Sequence, residues 1–121
     1  MNGIAGRRRA WQFGRWGEAV SAGLLRLKGY QILARGYRAG VGEIDLVARR
    51  GRLVAFVEVK ARQAPAGEVL SARQQQRIMR AAGAFMAAHP HLASCDQRFD
   101  LVLVTRWGLP RHCPDAWRPA S

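Results

Sequence analysis

Two runs of alternating side chains, Glu43 to Arg49 and Leu53 to Ala61, flank Arg50-Gly51 and constrain the fold more than any other part of the chain. Period-two alternation rich in Val, Leu and Ile is the pattern of strands, and a two-residue junction containing glycine predicts a tight antiparallel hairpin. With the loop at Arg50-Gly51, paired residue numbers sum to 101, so Glu43 faces Glu58 and Asp45 faces Phe56. Glu43, Asp45, Glu58 and Lys60 then share one face of the hairpin, with Asp45 diagonal to Glu58. A four-residue loop on the same centre keeps this parity. A three-residue loop would separate the acids unless a bulge restored them.

Such a face is costly. Two carboxylates about 5 Å apart repel by roughly 3 kcal/mol at an effective dielectric near 20. Divalent cations remove the penalty, and hard ions such as Mg²⁺ take carboxylate, carbonyl and water oxygens, so the Val59 carbonyl beside Glu58 is a further candidate ligand. On spacing alone the competing reading stays open: Glu43, Asp45, Glu58 and Lys60 pair with one another and with nearby arginines.

Upstream, Trp16, Val20, Leu24 and Leu27 recur at helical spacing between about Arg15 and Lys28, and Gly29 is a natural stop. A second apolar side of this helix carries Ala22 and Leu25, and Glu18 lies in line with it, facing the protein body. Tyr30 to Arg38 reads as a strand before the hairpin. A loop through Gln63, Ala64, Pro65, Ala66 and Gly67 leads to Ser71-Ala72-Arg73-Gln74, a capping box opening a helix that runs to about Ala88. Ile78, Ala82 and Phe85, with Ala81 beside them, form its apolar side, whereas Arg73, Arg77 and Arg80 share another. Arg98 to Thr105 reads as a last strand, and the tail with Pro110, Pro114 and Pro119 is too rich in proline for a central one. The order α-β-β-β-α-β predicts an α/β fold with a mixed central sheet flanked by helices. Residues 1–13 read as a flexible basic arm, 14–117 as a single domain and 118–121 as a tail.

Twenty Lys and Arg against eight Asp and Glu give a formal charge of +12 on 121 residues. A hydrophobic fraction of 49% excludes a disordered charged tail, so the charge belongs to a folded domain with a polyanionic partner, nucleic acid or an anionic surface. No apolar run approaches the roughly 18 residues of a membrane span, and none follows Arg7-Arg8-Arg9 as an export signal requires. Cys95 and Cys113 read as free thiols, and the expected setting is cytoplasmic. Arg62, Arg73, Arg77 and Arg80 could track phosphates outside the acidic pocket, with a solvated helix face as the plain alternative. His89, His91, Cys95, His112 and Cys113 lack a zinc spacing. Asp100 reads as a structural partner of an arginine.

Gly42-Glu43-Ile44-Asp45-Leu46-Val47, followed by Phe56-Val57-Glu58-Val59-Lys60-Ala61-Arg62, resembles the YraN-like family of bacterial proteins, a branch of the restriction-endonuclease-like superfamily with the PD-(D/E)xK signature. The likeness takes in Gly17-Glu18-Ala19, Gly29-Tyr30, Gly67, Arg98-Phe99-Asp100 and Ala116-Trp117. The resemblance implies a restriction-endonuclease-like core close to that of archaeal Holliday-junction resolvases. It makes Glu18 the helix acid, Asp45 the central metal ligand, Glu58 the second ligand and Lys60 the signature lysine, which orients water or meets developing negative charge. Two positions depart from the family pattern: Gln74 stands where lysine is usual, and Gly36 where asparagine is usual. The function implied is a Mg²⁺- (or Mn²⁺-) dependent nuclease-like protein acting on DNA phosphodiesters, branched or structured DNA among them. DNA ranks ahead of RNA as partner, and resolvase-like relatives pair as homodimers. The alternative is a non-catalytic nucleic-acid-binding protein that keeps the fold.

Overall fold

The computed structural model describes residues 3–40, 42–61, 70–105 and 110–119, with side chains from Arg15 onward. Helix α1 (Gly3–Leu27) precedes strands β1 (Gln31–Ala39), β2 (Gly42–Arg50) and β3 (Leu53–Ala61); helix α2 (Ala72–Ala88), a 3₁₀ turn at Pro90–Leu92, and strands β4 (Asp96–Val104) and β5 (Arg111–Trp117) follow. The strands lie side by side in the order β1-β2-β3-β4-β5. Only β3 and β4 are parallel. A parallel pair cannot be closed by a hairpin, so α2 carries the chain back along the sheet between them. The result is a mixed α/β fold with the sheet flanked by helices, as the element order predicts, but with five strands where that order has four.

The β2–β3 turn falls one residue later than the sequence spacing predicts. Arg50 faces Leu53 and Leu46 faces Val57, so Gly51-Arg52 is the loop. The reason is conformational. Gly51 sits at φ 62°, and a two-residue hairpin with glycine in first position suits the type II′ turn, whereas an Arg50-Gly51 loop would force arginine into the left-handed region. Moving the loop by one residue moves every partner by two, so the same register carried onward brings Asp45 opposite Glu58, although strict alternation breaks just there, with Ile44 and Val47 in the α2-side core and Leu46 in the α1-side core.

Helix α1 buries Gly17, Ser21, Ala22 and Leu25, while Trp16 and Leu27 are exposed. The buried side is therefore the one carrying Ala22 and Leu25, not the Trp16–Leu27 stripe. It meets a sheet face of Leu46, Ala48, Ala55, Val57, Val102 and Val104, where small side chains on both surfaces allow close approach. The helix begins at Gly3, so helical backbone takes in most of the segment read as an arm. On the other face, Ile78, Ala81, Ala82 and Phe85 of α2 pack on Val47, Val54 and Phe56, as their spacing predicts.

The proline-rich tail is the fold's other departure, because it forms β5. The strand lies at the edge of the sheet, where Pro114 has no second neighbour to deprive of a hydrogen bond. Asp115 there adopts φ 54°, and Trp117 stacks on Phe99 with ring centroids 4.4 Å apart.

Candidate functional site

Pairing between β2 and β3 stops at Leu46 and Val57, although both strands continue, β2 against β1 and β3 against β4. The sheet forks there. Asp45 fills the fork: its Oδ2 accepts the Val59 N–H at 2.8 Å, taking a donor that a continuing ladder would have used. A strand residue turns its N–H and C=O to the same side, so the Val59 carbonyl opens into the same gap. The Glu58 carboxyl shares a hydrogen bond with Asp45.

Two carboxyls in such contact cannot both be charged cheaply. Burial, then the Asp45 charge and their shared hydrogen bond, push Glu58 up to about 8, so it holds the pair's proton at neutral pH. Asp45 is also raised by burial, against the Val59 N–H and the Glu58 hydrogen bond that favour its ionised form. Together they wall a cleft of about 100 Å³ with Glu43, Gln74, Arg77 and Ile78.

Helix α2 reaches this cleft because Gly42 lets it. A Cβ at Gly42 would meet the Ala81 backbone nitrogen at 2.7 Å and run into the Arg77 carbonyl oxygen. The capping box forms as the sequence predicts: Ser71 Oγ accepts the Gln74 N–H at 3.1 Å, and Gln74 Oε1 accepts the Ser71 N–H at 3.1 Å. The same Oε1 accepts from Lys60 Nζ at 3.5 Å. Gln74 is thus both cap and neighbour of the lysine, two roles that the sequence sets against each other.

Glu18 comes from α1, across the sheet from α2. It lies outside the cleft lining but within electrostatic reach, its carboxyl raised by burial first and then by the Asp45 charge, with Glu43 adding to the rise and Arg35 and Arg15 opposing it. Glu43 faces the cleft and also pairs with Arg38 at 3.4 Å, the arginine partnership left open by its spacing. Among the described residues, no three His, Cys, Asp or Glu side chains form a ready metal-ligand set. The structure thus brings Asp45 and Glu58 into contact, sets Lys60 beside them and holds Glu18 behind. The donor chemistry fits a hard divalent cation, since two oxygen-bearing side chains and a carbonyl meet at one gap.

Arg73, Arg77 and Arg80 are exposed on α2 and line one groove with Gln76. Arg77 lines both this groove and the acidic cleft, joining the two. Arg62 and the loop after it lie outside the described residues.

A second polar cluster, which the sequence shows only in part, surrounds the fully buried Asp100. Arg98 grips it with Nε and Nη2, each at 2.7 Å, His112 Nε2 is 2.8 Å away, and the Asp115 N–H donates at 2.9 Å. Burial alone would raise this carboxyl, but these donors hold it at about 2. Arg98 also donates to the Tyr30 hydroxyl at 2.7 Å, and Lys28 Nζ meets His112 Nδ1. Every group here has a partner, and the cluster ties β4, β5 and the end of α1 together.

The family model described as "Uncharacterised protein family UPF0102" matches residues 17–104. A UPF0102 protein of Paramagnetospirillum magneticum is 60% identical over 111 residues, covering 87% of this chain and 86% of its own length. Similar proteins occur in Parvibaculum lavamentivorans, 50% identical with 91% and 84% coverage, and in Rhizobium etli, 49% identical with 92% and 93% coverage. The matched span carries every acid of the cleft together with Lys60 and Gln74, and the chain belongs to the UPF0102, or YraN-like, family.

Proposed function

We propose that this protein is a Mg²⁺- or Mn²⁺-dependent nuclease-like phosphodiesterase acting on DNA, built on a restriction-endonuclease-like core of the PD-(D/E)xK kind. One observation carries the reading: Asp45 and Glu58 meet in the fork of the sheet, share a hydrogen bond, and leave Glu58 raised to about 8. An arrangement selected for stability alone would not hold that pair among buried strands. Asp45, Glu58 and the Val59 carbonyl would hold the cation, with Glu18 completing its surroundings. A divalent ion bound there supplies an acidified water and neutralises charge on the phosphate. Lys60, held near Gln74 Oε1, orients the attacking water or meets negative charge developing on the phosphoryl oxygens. Arg77, with Arg73 and Arg80 beyond it, binds the flanking phosphates.

Cleavage of labelled linear, flap and four-way DNA with Mg²⁺ or Mn²⁺ tests this reading, wild type beside Asp45→Asn. Metal-dependent cleavage by the wild type and its loss in the variant are expected. Equal cleavage by both proteins, or by neither, removes the catalytic claim. The second reading is a non-catalytic nucleic-acid-binding protein that keeps the fold. It requires DNA binding without cleavage by both proteins.

A further inference from the structure

The end of the sheet away from the acidic cleft is strongly basic. Arg26 and Lys28 lie at the close of α1, and Arg49, Arg50 and Arg52 at the β2–β3 turn. The two groups are joined: Arg50 Nη1 donates to the Lys28 carbonyl at 3.2 Å and lies over the Tyr30 ring, 4.4 Å from its centroid. Among the described residues none of these five cations forms an ion pair with a carboxylate. Exposed Asp96 also lies at this end, its N–H donating to the Arg52 carbonyl at 2.7 Å, while Asp100 is taken by Arg98 and His112, and Asp115 by Arg118.

Some of this charge has a structural use. Arg26 and Arg50 sit at the C-terminal end of α1, where a cation complements the exposed carbonyls. Lys28 is engaged with His112. Arg49 and Arg52 have no such use. Arg49 is half-buried, its Nε donating to the Gly51 carbonyl at 3.0 Å, and Arg52 is exposed beside it. A turn needs glycine, not guanidinium groups on both sides of it.

Helix α2 carries the chain from the C-terminal end of β3 to the N-terminal end of β4, so it runs from the acidic cleft toward this basic end. Arg73, Arg77 and Arg80 therefore begin a positive track that the turn arginines extend. Six strand residues separate Glu58 from Arg52, about 20 Å at 3.3 Å per residue. Phosphates along one strand of a duplex recur every 3.4 Å or so, and the separation corresponds to about six nucleotides. Arginine forks suit bidentate contact with such phosphates.

We propose that Arg49 and Arg52 form a second phosphate-contacting surface for duplex DNA at the Gly51-Arg52 end of the sheet. It shares the nucleic-acid partner of the proposed function but none of its chemistry.

The test is fluorescence anisotropy with a labelled duplex of 24 base pairs over a salt titration. It compares wild type, Arg49→Gln/Arg52→Gln, and Arg73→Gln/Arg80→Gln, each with thermal unfolding as a check of the fold. Arg26, Lys28 and Arg50 are kept because they complement the end of α1 or tie elements together. The distal variant is expected to lose affinity for the 24-mer by tenfold or more and to show a salt slope shallower by about two. Unchanged 24-mer affinity and slope in a folded distal variant overturn the proposal. If the α2 variant is weakened at the same time, the proposed function stands without the second surface. No binding by the wild type at low salt overturns both. Vesicles of phosphatidylserine and phosphatidylcholine form a further arm: distal-variant loss of vesicle binding with unchanged DNA binding assigns the surface to a membrane and overturns the proposal.

Discussion

Asp45 and Val59 are joined by a side-chain-to-backbone hydrogen bond of 2.8 Å where the β2–β3 ladder ends. An aspartate that replaces a backbone acceptor inside a sheet holds its charge where solvent screens it poorly. That relationship fixes the carboxylate, opens the fork, and brings Glu58 against it. Four expected outcomes follow from this and from the packing around it.

Replacing either acid should stabilise the metal-free protein. Glu58 is raised from 4.5 to about 8, so the native state binds its proton more tightly than the unfolded chain does. Stability contributed by that proton is fully present below about pH 4.5 and lost as pH rises through 8, on the order of 2–4 kcal/mol. Glu58→Gln removes this slope, and Asp45→Asn keeps an oxygen for Val59 while relieving the repulsion. Thermal unfolding from pH 5 to 9 should show both variants melting above wild type at pH 8. A large drop would identify the acids as structural partners of cations.

Glu58 should titrate near 8 in the metal-free protein, followed by carbon NMR of the labelled carboxyl. Millimolar Mg²⁺ or Mg²⁺ replaced by Ca²⁺ should pull the midpoint down by a unit or more, because a bound cation favours the charged form. An unchanged midpoint would show that no divalent ion enters the fork.

Gly42→Ala should destabilise by about 1–3 kcal/mol, since the new methyl group meets the backbone of α2 and must push the helix off the strand. Gly83→Ala, in the same helix with nothing within 4 Å of its added carbon, should gain up to about 1 kcal/mol. Chemical denaturation of the pair separates close approach from helix propensity. Equal effects would mean that Gly42 is not pinned beneath α2.

Asp100→Asn should cost about 3–5 kcal/mol, because Arg98 loses its buried counter-charge. Asp100 is lowered from 3.8 to about 2, so its contribution is present above pH 4 and is lost as pH falls through 2. That window is worth about 2 kcal/mol in the wild type and should vanish in the variant. Acid unfolding curves compare the two. Matching curves below pH 4 would remove the assignment.

Much of the site is legible in the residue order because its parts are local. Alternation puts Asp45, Glu58 and Lys60 on one face whichever even-length loop closes the hairpin, and the Ser71–Gln74 cap is visible as a tetrapeptide. The errors share a cause in competition between equivalent local choices. Both sides of α1 are apolar enough to be buried, and the small residues of the opposing sheet choose the one with Ala22. Pro114 excludes a central strand but not an edge strand. Arg50-Gly51 and Gly51-Arg52 differ only in which residue must take positive φ.

By itself the sequence determined the family, the order of elements, the core side of α2 and the carriers of negative charge, because these depend on neighbours within a turn or a strand. Only the tertiary structure decided that Asp45 and Glu58 share a hydrogen bond, that Glu18 stands behind and not within the cleft, and that Gln74 reaches Lys60. It also decided that Asp100 is locked by groups from β4 and β5. Those outcomes turn on where the ladder stops and how closely α2 can approach Gly42, which are set by backbone geometry and packing between distant segments.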